Sequence, residues 1–216
     1  SLHDALPIYE IIENILQLKK DKQANLCCFI HDYYTVCPTI NLLNNNGCYC
    51  KLDINKCNIC IKDNKFNSYI NYESIDKWRE KWGILLSNCD EVITFSQDSR
   101  KIIKYVYNNL DNIVVIPHVV DYITPITKNV KKGKSINIGI LGVLTHHKGL
   151  DIIKQMLSII EEKNMDIKII LIGKCDEKIE HNRFSETGKY SVDKVSKLVL
   201  ENEIDVIFIP SIWPET

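Results

Sequence analysis

No stretch of this chain approaches the ~20 consecutive apolar residues that cross a bilayer, so a transmembrane segment is not expected. Neither sign of charge is in excess. Lys and Arg number 27 against 28 Asp and Glu, leaving a net charge of −1 and a pI near 6.6. Without a basic field there is nothing to gather nucleic acid, which is set aside as a partner. A small basic or amphipathic patch would vanish in such totals, and peripheral membrane contact stays open. The first residues have neither the charged start nor the apolar middle of a secretion signal. Nine cysteines make an odd number, against the even pairing of a secreted disulfide scaffold. A reducing cytoplasm is the expected compartment. No internal repeat of ~20–50 residues is evident.

What is present is an ordinary globular composition, 45% hydrophobic and 25% charged, over 216 residues. That length suits one large domain or two small ones. Ser1 to Ile8 contains no Asn or Lys, unlike the rest, and reads either as a cloning or assembly scar or as a native frayed terminus. Tyr9 to Lys20 has an amphipathic helical period. An apolar strand, Asn25 to Ile30, runs into His31-Asp32 and puts both side chains at a strand's carboxyl end, where open α/β sheets keep their chemistry. The plainer reading makes Asp32 a turn cap. Thr35 to Asn71 shows no period and holds Cys37, Cys48, Cys50, Cys57 and Cys60. Glu73 to Asn88 is expected as a helix whose tryptophans pack the core. Glu91 to Phe95 is a strand, Ser96 an N-cap for a helix over Asp98 to Asn108, and Asn112 to Ile116 a further strand closed by Pro117-His118.

The later part carries the clearest pattern, Ile138-Gly-Ile-Leu-Gly-Val-Leu-Thr-His-His-Lys-Gly149. A buried strand over Ile136 to Leu141 ends in Gly142, and Lys148-Gly149 opens a helix with Leu150, Ile153, Leu157 and Ile160 on one face. Amides left open at such a helix start, with Lys148 beside them, make a phosphate site. Apolar runs at Ile167 to Ile172 and Val206 to Ile209, with a polar loop (Lys174 to Gly188) and a helix (Val192 to Leu200) between them, complete a βαβαβ unit. The expected organisation is a Rossmann-like domain over 9–120 with a Cys-rich insert at 37–71, a linker at 121–134 rich in polar residues, and a second domain over 135–216.

Five segments in order then resemble the retaining glycosyltransferases of the GT4 type, which have the two-domain GT-B architecture. They are His31-Asp-Tyr-Tyr-Thr-Val-Cys-Pro38, Cys89-Asp-Glu-Val-Ile-Thr-Phe-Ser96, Ile116-Pro-His-Val-Val-Asp121, Gly139-Ile-Leu-Gly142 with His147-Lys-Gly149, and Pro210-Ser-Ile-Trp-Pro-Glu-Thr216. The fold class so implied is α/β and GT-B-like, with two Rossmann-like parallel-sheet domains, each incomplete. The resemblance implies transfer of a sugar from a nucleotide-sugar donor (UDP-, GDP- or ADP-sugar) to a hydroxyl-bearing acceptor, with retention and with no catalytic metal. Its catalytic pair would be His31 and Glu215, the latter matching the first glutamate of the family's E-x7-E motif. Donor binding would fall to Gly142, Lys148, Gly149 and Glu215.

The chain departs from the family in several places. No second glutamate follows Glu215, no glycine-rich loop precedes Tyr9, and no arginine stands at Val143 to His147 before the lysine. Val119 occupies a position where relatives often have glycine. A fragment with little activity of its own is therefore expected. Cys48-x-Cys50-x6-Cys57-x2-Cys60 has zinc-knuckle spacing with Cys37 as a fifth candidate. By the family's Cys-Pro…Tyr-Cys…Cys-x2-Cys pattern a structural Zn would sit on Cys37, Cys50, Cys57 and Cys60, with Cys48 as substitute; unliganded thiols are the alternative. A NAD-type oxidoreductase is the rival enzyme reading, weakened because Gly139-x-x-Gly142 does not complete G-x-G-x-x-G. A non-catalytic, zinc-stapled nucleotide- or sugar-binding module is the remaining one.

Overall fold

The computed structural model describes residues 8–62, 64–67, 74–121, 125–126 and 135–214. Most of the expected linker at 121–134, the end of the insert at 68–71, residues 1–7 and Glu215 lie outside these described residues. The chain is α/β with two parallel-strand sheets, in two compact units that part between His118 and Val119, Trp213 belonging to the first unit.

In the first unit, α1 (Ile8–Lys22) leads into β1 (Cys27–Ile30). The insert follows, and its described residues include a short helix, α2 (Cys57–Lys62). Then come α3 (Ile75–Ser87), β2 (Glu91–Thr94), α4 (Gln97–Val106) and β3 (Ile113–Val115). The strands lie in the order β1-β2-β3, all parallel, with Cys27 opposite Glu91 and Val92 opposite Ile113. Both longer helices start where a serine can cap them: Ser74 accepts from the Lys77 amide and Ser96 from the Ser99 amide. Ile30, Val92 and Ile113 pack with Ile12, Leu86 and Ile103 in one core. Trp78 is wholly buried, as expected of a core tryptophan. Trp213 meets Tyr33 edge-on, ring centroids 6.4 Å apart.

The second unit runs β4 (Ile136–Leu144), α5 (Leu150–Glu162), β5 (Ile167–Cys175), β6 (Phe184–Glu186), α6 (Val195–Glu201) and β7 (Val206–Ile207). The order β6-β5-β4-β7 is parallel throughout. Ile153, Leu157 and Ile160 of α5 pack on Ile140, Ile169 and Leu171, while Leu198 and Val199 of α6 pack on Ile170, Ile172 and Ile204. Two expectations are corrected. First, β4 and β5 do not stop near Gly142 and Ile172; they pair as far as Leu144 and Cys175. They can do so because Gly142 and Gly173 face each other: a Cβ on Gly173 would stand 1.8 Å from the Gly142 carbonyl oxygen. Second, the polar stretch Lys174 to Gly188 is not all loop. It hides β6, whose backbone pairs with β5 although its own side chains lack a strand's apolar alternation.

Candidate functional site

In an open parallel sheet a ligand crevice forms outside the strands' carboxyl ends, where the strand order reverses. In the second unit the chain steps outward from β4 to β5 to β6, then crosses back to lay β7 on the far side of β4. The reversal point is therefore between β4 and β7. Two segments flank it: the turn Thr145 to Gly149 after β4, and the loop Phe208 to Ile212 after β7. They are locked together, since the Ile212 amide donates to the His147 carbonyl at 3.1 Å. Gly149 caps α5 with φ +91°, and a Cβ there would stand 2.2 Å from the Pro210 carbonyl oxygen. Only glycine satisfies both the backbone angle and that approach.

The side chains at this turn have defined states. Lys148 is half-buried, and its ammonium makes no ion pair among the described residues. Gly142, at the same end of β4, has nothing within 4 Å of where a Cβ would be, so its backbone is open to approach. His146 Nδ1 lies 2.7 Å from Asp151, in the first turn of α5. His147 sits 3.2 Å from the Thr145 hydroxyl; burial first, then the Lys148 charge, push its pKa below the ordinary value. A neutral imidazole at pH 7 follows.

One part of the expected phosphate site differs. The amides of Lys148 and Leu150 donate to the Thr145 carbonyl, and that of Gly149 to the His146 carbonyl. These three amides close their own turn instead of pointing outward.

The first unit brings together residues that are far apart in sequence. His31 follows β1, Phe95 follows β2, and His118 lies just past β3. Phe95 and His118 stack at 3.9 Å with 13° between planes, and His31 lies 4.8 Å from Phe95 and 6.4 Å from His118. Phe29 stacks at the side of this group and is 54% exposed. Sequence reasoning selected His31 but not Phe95 or His118. The usable signal was positional: parallel strands in register bring the residues that follow them to one edge. Asp32 behaves as the plainer reading had it, its carboxylate accepting from the Tyr34 amide at 2.8 Å. The loop after His31 is held on every side. Trp78 Nε1 donates to the Tyr34 carbonyl, Arg79 Nε to that of Val36, the Tyr107 hydroxyl to that of Thr35, and the Tyr33 hydroxyl lies 3.2 Å from Ser99 Oγ.

Cys37, Cys50, Cys57 and Cys60 line one cavity of about 440 Å³, and Cys48 does not. Three of these four sulfurs already have protein partners. Cys37 lies 3.3 Å from the Thr39 hydroxyl, Arg79 Nη2 donates to Cys57 at 3.3 Å, and the Asn64 amide donates to Cys60 at 3.4 Å. Among the described residues no three Cys, His, Asp or Glu side chains are grouped so as to hold a metal ion. A four-thiolate zinc site needs all its sulfurs ~2.3 Å from one point, a grouping that these described side chains do not form as they stand.

Together these features define the class: an α/β chain with two Rossmann-like parallel sheets, one of which reverses its strand order between β4 and β7. Among the described residues no helix is long and apolar enough to cross a membrane. No protein-family model matches the chain, and no curated protein matches it. Among solved structures it is similar to TarM, at a TM-score of 0.44 and 12% identity over 65% of this chain and 28% of that one. It is also similar to a mutant of S. aureus TarM in complex with fondaparinux, alpha-GlcNAc-glycerol and UDP, at a TM-score of 0.34 and 15% identity over 65% and 25%. The chain thus spans about a quarter of the length of these structures.

Proposed function

We propose that this chain serves a retaining glycosyltransferase of the GT-B, GT4 type, its second unit holding the nucleotide-sugar donor and its first unit facing a hydroxyl-bearing acceptor, in the cytoplasm. The observation that carries this reading is the strand reversal beside β4, with the half-buried Lys148 in the turn that flanks it. As the bond from the anomeric carbon to the diphosphate oxygen breaks, negative charge grows on the leaving nucleoside diphosphate. An ammonium held at that oxygen stabilises the transition state more than the ground state. The neutral His147 beside it leaves Lys148 as the charged donor of the pair. His31, exposed at the end of β1, has ring nitrogens that can donate to or accept from sugar hydroxyls. Glu215, assigned by resemblance alone, would accept hydrogen bonds from the donor's hydroxyls.

Titration with UDP-, GDP- and ADP-sugars beside NAD tests the assignment. One nucleotide sugar is expected to bind, and Lys148→Ala to weaken it at least ~10-fold, about 1.4 kcal/mol. His31→Ala should leave binding of the free nucleoside diphosphate unchanged. Tight NAD binding would move the assignment to an oxidoreductase. Binding of no nucleotide at all would leave a non-catalytic module.

A further inference from the structure

The rings at the carboxyl edge of the first sheet are arranged as a step. Along a strand, successive side chains point to opposite faces. Ile30 and Val92 turn into the core with α1, α3 and α4, so Phe29, His31 and Phe95 stand on the other face. His31 and Phe95 are side by side at 4.8 Å, the spacing of neighbouring strands. His118 lies 3.9 Å from Phe95 with 13° between their planes, and 6.4 Å from His31. Those three separations close a nearly right-angled triangle with Phe95 at its corner, so His118 rises over Phe95 as a wall beside His31. The floor continues from His31 to Phe29, whose ring plane lies within 21° of it. Phe29 is 54% exposed, and both histidines are exposed. A molecule one ring thick fits this angle, with its face on Phe29 and His31 and its rim at the edge of His118.

We propose that this step receives a pyranose ring of the acceptor, its C–H face stacked on Phe29 and His31 and a rim hydroxyl bonded to His118. The acceptor is then a glycan or glycoside and not a simple alcohol. A pyranose carries both surfaces that the step is shaped to meet. Its ring C–H groups form a weakly positive apolar face, and the faces of aromatic rings are negative. Its hydroxyls lie round the rim, where an imidazole nitrogen can donate to them or accept from them. A small acyclic alcohol would take the hydrogen bond and leave the floor uncovered. Phe29 and His118 thereby become specificity-determining residues for the acceptor. Naming the ring as the acceptor's rests on the sugar-transfer assignment; binding of a glycoside to the step does not.

Saturation-transfer NMR on the whole chain, with irradiation of aromatic protons, tests this. The probes are methyl pyranosides of glucose, galactose, mannose and N-acetylglucosamine, with glycerol, adenosine and uridine beside them. At least one pyranoside is expected to bind, with the strongest transfer to protons of one ring face, and glycerol is expected to show none. Phe29→Ala removes part of the floor at an exposed position, and His118→Phe keeps a ring over Phe95 but takes away its nitrogens. Each should weaken that binding at least ~5-fold, in keeping with one lost stacked ring or one lost hydrogen bond. Binding of free nucleoside diphosphate should be unchanged in both, and Phe29→Tyr, which keeps the ring, should bind the pyranoside as the parent does. Binding of adenosine or uridine in preference to every pyranoside overturns the proposal in favour of a nucleobase shelf. Pyranoside binding indifferent to both substitutions overturns it too, because the sugar then sits elsewhere. So does the absence of pyranoside binding at tens of millimolar; if a nucleoside diphosphate still binds, sugar transfer stands and its acceptor is not recognised as a ring. Pyranoside binding in a chain that takes no nucleotide would keep the step and remove the transferase.

Discussion

Gly149 and His147 show how much one position can carry. Gly149→Ala would force an L side chain into φ +91° and set its Cβ against the Pro210 carbonyl. Calorimetry should show the second unit destabilised by about 1–3 kcal/mol or more. His147 gives a pH signature. Its folded pKa lies below its ordinary value of 6.5, so the unfolded chain takes up the proton first. Stability is whole above pH 6.5 and falls as pH drops through that value towards the folded pKa, below which the slope disappears. Denaturant titrations across that window should flatten in His147→Gln; an unaltered slope would assign the effect to another group.

Elements here are held by a few polar bonds at their ends as much as by their cores. The loop after β1 receives the Tyr107 hydroxyl on the Thr35 carbonyl, in a site so buried that the tyrosine's pKa is pushed up. Tyr107→Phe keeps the packing and strands that carbonyl, for an expected loss of about 1–2 kcal/mol in the first unit by urea denaturation. Gly173→Ala acts on the β4–β5 pairing instead. Its Cβ would displace the Gly142 carbonyl, breaking the register that carries β4 on to Leu144, and a cost of about 3 kcal/mol or more is expected. Helices α3, α4 and α5 were legible because serine caps and apolar faces are local signals. The strand β6 was not, because its place is fixed by backbone bonds to β5 and by Glu186 accepting from the Cys175 amide.

At the scale of the whole molecule, separate cores in the two units predict two unfolding steps. Tyr107→Phe should shift one step and Gly173→Ala the other; a single transition moved by both would mean one cooperative body. The sequence by itself determined the α/β class, the strand–turn–helix at Lys148, and the helices whose caps and stripes are written in neighbouring residues. Local periodicity reports which face of an element is buried, and that suffices for them. Tertiary structure alone decided that His118 and Phe95 join His31, that β7 returns to the far side of β4, and that Arg79 reaches Cys57. Each of these joins residues brought together by strand order or by a long side chain from another element. Pairings of that kind leave no period in the chain, because a parallel sheet's register is settled between strands and not within them.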